Sequence, residues 1–167
     1  MRVEKSPEQA VSDLLREKSL TLAAAESCTG GLVSKRMTDL SGASKVFCGG
    51  VVSYVNDVKE KVLGVSGETL DRFGAVSAET AAEMAAGVRR ICDSDIGISF
   101  TGVAGPDKDD RGNDVGTVYV GIATKEKTYV NLLRLDGDRH TIRTLAADRG
   151  MELLLALLRE RFCCGGK

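Results

Sequence analysis

The feature that most constrains this chain is the join across residues 20–38. Residues 20–25 are apolar except for Thr21, the pattern of a short buried strand. The run breaks at Glu26-Ser27-Cys28-Thr29-Gly30-Gly31, and a helix is expected over residues 32–38. Strand, Gly-rich turn and helix in that order point to layered α/β packing.

The rest of the chain extends the pattern. Ser6-Pro7-Glu8-Gln9 opens a helix, with Ser6 as cap, Pro7 at its first position and Gln9 completing a capping box. Residues 46–55 read as a second strand, in which Gly49-Gly50 signals a bulge or a close approach. Asn56 is expected to cap a helix over 57–63. Further helices are expected over 66–73 and from Ser77 to about residue 92, where Ala81, Met84, Ala85, Val88 and Ile91 keep helical spacing. A strand over 96–100 leads to a loop at 101–106 and a surface loop at 107–114. A hairpin (115–124 with 129–135) and a long helix from about 139 to 162 complete the chain. The expected architecture is α/β: a single three-layer α/β/α domain, residues 1–167 with its core at about 6–162, built on a mixed sheet.

Composition narrows the function. Lys and Arg number 23 against 24 Asp and Glu, so the basic excess of a nucleic-acid binder is missing, and aromatic platforms are scarce at 4%. No nucleic-acid partner is expected. No apolar run approaches the roughly 20 residues of a membrane span, and the charged start Met1-Arg2-Val3-Glu4 does not read as a secretory signal. A cytoplasmic protein with no membrane partner is the expectation. Five cysteines (Cys28, Cys48, Cys92, Cys163, Cys164) without a CxxC pair or a second histidine favour reduced thiols over a zinc site, so no metal is expected. Homo-oligomerisation is left open.

The turn at 26–31 is the strongest chemical signal. A serine at a strand-to-helix turn is exposed to substrate, and backbone N–H groups there stabilise an oxyanion. Ser27 and Thr29 serve equally well as plain helix caps. The turn is neither a P-loop nor a dinucleotide fingerprint. Cys28 is a rival nucleophile, or simply a small buried side chain. His140, the sole histidine, lies in a charged stretch and reads as a surface residue, which argues against a Ser-His-Asp triad. Lys59 fits the vacancy for a base, provided that burial or a neighbouring cation keeps part of it neutral; Arg139 or Arg143 is the favoured candidate for that cation. The alternative is one more solvated lysine. Tyr54 and Asn56 sit where a pocket rim would be. Thr101, Gly102 and Gly105 belong to a second strand-end loop, suited to holding a phosphate or amide, or to a tight turn only. Arg139 and Arg143, one helical turn apart beside an Asp138 cap, form a phosphate clamp or an exposed charged face.

Taken in order, several segments resemble the CinA C-terminal domain family over about residues 6–162. They are Ala25 to Gly31, Gly49 to Lys59 leading to Leu63-Gly64-Val65, Gly74-Ala75-Val76-Ser77, Thr101 to Pro106, Val115-Gly116-Thr117-Val118, and Gly137-Asp138-Arg139 with Arg143. The family includes nicotinamide-nucleotide amidases. The resemblance implies a serine amidase acting on a small nucleotide, with Ser27 as nucleophile, Lys59 as base, Tyr54 and Asn56 in support, and Arg139 on the phosphate. It implies no cofactor. His140 stands where the family often has an acidic residue. The pyrophosphatase activity linked to the large N-terminal domain of longer members is not expected. The competing implication is a non-catalytic nucleotide-binding or competence/damage-associated interaction protein.

Overall fold

The computed structural model describes residues 5–163, with side chains to residue 161. Met1 to Glu4 and Cys164 lie outside the described residues, as does the side chain of Cys163. Eleven elements build the domain: α1 (Pro7–Glu17), β1 (Leu22–Glu26), α2 (Leu32–Thr38), β2 (Phe47–Val52), α3 (Asn56–Lys61), α4 (Gly67–Phe73), α5 (Ala78–Ile91), β3 (Ile96–Gly102), β4 (Thr117–Ala123), β5 (Thr128–Arg134) and α6 (Arg139–Cys163). A short 3₁₀ turn at Ala43–Lys45 precedes β2 and was not expected from the sequence.

The sheet runs in the order β2-β1-β3-β4-β5. Strand β1 pairs in parallel with both β2 and β3, whereas β3–β4 and β4–β5 are antiparallel, so the sheet is mixed. Every residue of β1 is buried, because helices cover both of its faces. Leu22 and Ala24 face a core shared with Val11 and Leu15 of α1, Met37 of α2 and Met151 and Leu154 of α6. Ala23 and Ala25 face the opposite core, with Leu70 of α4 and Met84 and Val88 of α5. The three-layer α/β/α arrangement follows from this two-sided burial.

Local chemistry departs from the sequence expectations in three places. Gln9 supplies its backbone N–H to the Ser6 hydroxyl (3.3 Å), but its side chain turns to Asp13 instead of closing the capping box. Asn56 is the first residue of α3, not its cap; Val55 takes the extended cap conformation and offers no side-chain bond. Strand β2 ends at Val52, so residues 53–55 leave the sheet earlier than the β-branched run suggested. The Gly49-Gly50 signal is accounted for twice. The register slips by one residue between Leu22 and Ala23, leaving Cys48 as the extra residue of a bulge. A Cβ on Gly50 would collide with Ser34 Oγ and lie 3.2 Å from the Ala24 carbonyl. Among the described residues no helix is long and apolar enough to cross a membrane.

Candidate active site

The carboxyl ends of the three parallel strands open onto one cavity of about 250 Å³. Strand β1 delivers Ser27 and Cys28, the segment after β2 delivers Tyr54, Asn56 and Lys59, and β3 delivers Thr101 and Gly102. Ala75, Val76, Ala104 and Arg139 complete the wall.

Ser27 follows directly from β1, and both sides of its peptide are pinned. Its N–H donates to Phe100 O (2.9 Å), and its carbonyl accepts from the Gly30 N–H (3.1 Å). Gly30 and Gly31 have φ of +58° and +99°, a left-handed path that carries the chain into α2 and that L side chains rarely adopt. Neither Ser27 nor Thr29 caps that helix. The Glu26 carboxylate takes the role, accepting from the N–H groups of Gly31, Val33 and Ser34 and from the Ser34 hydroxyl. The Ser27 hydroxyl is thereby left to Lys59, whose Nζ lies 3.0 Å from Ser27 Oγ.

Lys59 is not a solvated lysine. It is 1% exposed, and its second partner is the Ser53 carbonyl at 2.8 Å. Burial pushes its pKa down to about 8, an effect that the neighbouring Cys28 opposes. Desolvation does this without the arginine neighbour expected from the sequence. At pH 7 roughly a tenth of such lysines are neutral, against fewer than about one in a thousand for an exposed one. A neutral amine that donates to the Ser53 carbonyl directs its lone pair at the serine proton. Cys28 borders the same cavity, but burial pushes its thiol up to about 12, which keeps it protonated and a poor nucleophile.

The predicted oxyanion donors separate into two groups. The Gly30 and Gly31 amides are engaged by Ser27 O and Glu26 Oε2. The amides of Cys28 and Thr29 donate to no other residue among the described ones, and the Cys28 amide has only its own sulfur nearby. Thr101 lies at the cavity, but its hydroxyl donates to Ala75 O at 2.6 Å, tying the end of β3 to the loop before α5. Gly102 lines the cavity. Gly105 does not, and its carbonyl accepts from Arg139 Nη1 at 2.6 Å.

The proposed arginine pair is split. Arg139 lines the cavity mouth and donates through Nη2 to the Tyr54 hydroxyl (2.7 Å). Arg143 instead donates to the carbonyls of Cys28 (3.1 Å) and Thr29 (2.9 Å), strapping the Ser27 turn to α6. It is absent from the cavity wall, so the structure separates it from Arg139. Asp138 caps α6 as expected, through the Thr141 N–H at 2.8 Å, and His140 is exposed. Among the described residues no three His, Cys, Asp or Glu side chains converge as a metal site requires. Sequence reasoning missed Glu26 and Ser53. A carboxylate ending an otherwise apolar strand was the available signal for Glu26; nothing local marks Ser53.

A mixed α/β domain with a buried lysine against a strand-end serine defines the class. The CinA C-terminal domain family matches residues 4–158, and this chain belongs to it. A protein of Bacillus subtilis, provisionally named competence-damage inducible, is 55% identical over 146 residues, covering 87% of this chain and 35% of its own length. A CinA-like protein of Kosmotoga olearia is 50% identical over 144 residues, covering 86% of this chain and 35% of its own. The chain thus spans about a third of the length of these relatives. A solved CinA superfamily protein from Escherichia coli superposes with a TM-score of 0.87 at 33% identity, over 94% of each chain.

Proposed function

We propose that this domain is an amidohydrolase that converts nicotinamide mononucleotide to nicotinic acid mononucleotide and ammonia. The observation that carries the reading is the buried Lys59 Nζ, 3.0 Å from Ser27 Oγ at the inner end of a cavity that Arg139 also lines. Neutral Lys59 accepts the serine proton as Oγ forms a bond to the carboxamide carbon. The Cys28 and Thr29 amides hold the oxyanion. As the C–N bond breaks, the proton on Lys59 passes to the amine, which leaves as ammonia. Water then gives a proton to Lys59 and adds to the ester carbon; the ester C–O bond breaks, Ser27 Oγ takes that proton back from Lys59, and the released acid loses its own proton to solvent. Arg139 pairs with the substrate phosphate by exchanging its Tyr54 and Gly105 partners for phosphate oxygens.

Ammonia release separates this reading from a domain that only binds nucleotides. Nicotinamide mononucleotide, free nicotinamide and the dinucleotide are supplied at equal concentration. Release from the mononucleotide, lost in Ser27→Ala, is the expected result. Binding of the mononucleotide without ammonia in the unaltered protein would establish the non-catalytic alternative.

A further inference from the structure

The residue before the nucleophile has the least ordinary surroundings in the molecule. Glu26 is a carboxylate with no solvent exposure at the end of an apolar strand, and among the described residues it forms no salt bridge. Its charge is instead met by donors: Oε2 accepts from the N–H groups of Gly31 (3.1 Å) and Val33 (3.0 Å), and Oε1 from the Ser34 N–H (2.8 Å) and Oγ (2.6 Å). Four donors fill the four lone-pair sites of a carboxylate. The start of α2 is thus fastened to the residue adjoining Ser27, closing the nucleophile turn into a ring. The missing Cβ of Gly50 leaves the space that Ser34 needs to reach Glu26.

The main chain of Glu26 reaches the other partner. Its carbonyl accepts from the Ser53 N–H (2.8 Å), and the Ser53 carbonyl accepts from Lys59 Nζ (2.8 Å). Side chain and backbone of one residue therefore lead to the nucleophile turn on one side and to the lysine on the other.

We propose that Glu26 is a positioning residue that sets the Ser27–Lys59 geometry, its carboxylate fixing the turn and its carbonyl, through Ser53, fixing the amine. The proposal rests on the serine–lysine reading above. A role confined to capping α2 would lower stability without changing how fast the folded protein's serine reacts. Glu26 touches no substrate, so disturbing it acts on kcat and leaves KM nearly unchanged. Misplacement of reacting groups by about 1 Å lowers rate by about 10²-fold.

The test measures the rate at which a fluorophosphonate labels Ser27 in the full chain, alongside amide kinetics and thermal melting. Glu26→Gln replaces one acceptor oxygen with an NH2 facing backbone donors. It is expected to slow labelling and kcat by about 10²-fold with KM within about threefold. Ser34→Ala removes one donor of the four and leaves the carboxylate in place, so a smaller loss of about 3–10-fold in the same two rates is expected. If Glu26→Gln fails to fold, Ser34→Ala alone decides. Labelling and kcat within twofold of the unaltered protein in a folded variant, or a loss confined to KM, overturns the proposal. An unaltered protein whose Ser27 does not label, or labels equally fast in Lys59→Arg, overturns the serine–lysine reading and this inference with it. Labelling that depends on Lys59 but not on Glu26 overturns this inference alone.

Discussion

The inner and outer halves of the cavity are built on opposite terms. At the inner end Ser27 and Lys59 are buried, as are the Ser53 and Glu26 residues bonded to them, and the hydrogen bonds run through main chain fixed by the parallel sheet. At the rim Tyr54, Asn56 and Arg139 are exposed, and Arg139 is held by two neutral oxygens that a charged ligand readily replaces. The buried end gains a shifted lysine and a fixed geometry, at the expense of desolvating a charge. The rim keeps its charge hydrated until a ligand arrives. On the proposed function, the inner half would set the rate and the rim the choice of substrate.

The largest effect expected from this division is at Ser27. Ser27→Ala should lower amide turnover by more than about 10³-fold with the fold intact, since no other group at the inner end replaces the nucleophile. Cys28→Ala should keep substantial activity, because a thiol with its pKa near 12 contributes no thiolate. Loss of turnover in the cysteine variant and survival in the serine variant would reverse the assignment.

Lys59 should come next. Lys59→Arg and Lys59→Ala should be equally damaging, each by about 10²–10⁴-fold, because a guanidinium keeps its charge and cannot accept the serine proton. In the unaltered protein kcat/KM should rise with pH through an apparent pKa near 8, as the amine loses its proton. That rise should be missing from the residual activity of both variants. A Lys59→Arg protein with near-normal turnover would make the lysine a source of positive charge only.

The rim should respond in KM. Arg139→Ala is expected to raise KM for nicotinamide mononucleotide by about 10-fold or more and leave kcat within a few-fold, the pattern of lost ground-state binding. Arg143→Ala, which releases the Cys28 and Thr29 carbonyls, is expected to act mainly on kcat. Identical profiles for the two would erase the distinction between rim and inner half.

How much of this was legible in the sequence follows the same boundary. The Ser27 turn is local, a strand, two glycines and a helix within twenty residues, and it was readable. Tyr54 and Asn56 were expected near a pocket rim because the run 53–59 leaves a strand, and both line the cavity. The meeting of Ser27 with Lys59 was suggested only by elimination of other bases and by family resemblance. Its physical cause is the β1–β2 register, which sets Glu26 opposite Val52 and so brings Ser27 and Ser53 to neighbouring strand ends. Arg139 and Arg143 read as one clamp because four residues is one helical turn. The cavity, however, meets only the start of α6, so the second arginine passes behind the turn. Long-range register and the direction of approach were the missing information.

The smallest effect tests the inner half through stability instead of rate. The folded pKa of Lys59 lies near 8 and its ordinary value is 10.5, so between those pH values the unfolded chain binds more protons than the folded one. Stability contributed by this site must therefore rise with pH across that window. Below about pH 8 both states are protonated and the folded protein carries the full penalty of a buried charge; above about 10.5 the penalty is gone. Lys59→Met keeps much of the apolar stem and removes the titration. It should melt higher than the unaltered protein at pH 7, by a few degrees for a gain of about 1–2 kcal/mol. The difference should shrink as pH approaches 10, because only the lysine protein gains stability on the way. Thermal melts of the two proteins from pH 6.5 to 10 decide the point. A constant gap would mean that the lysine is not desolvated in the folded state, and the division between a buried reactive end and a hydrated rim would lose its physical basis.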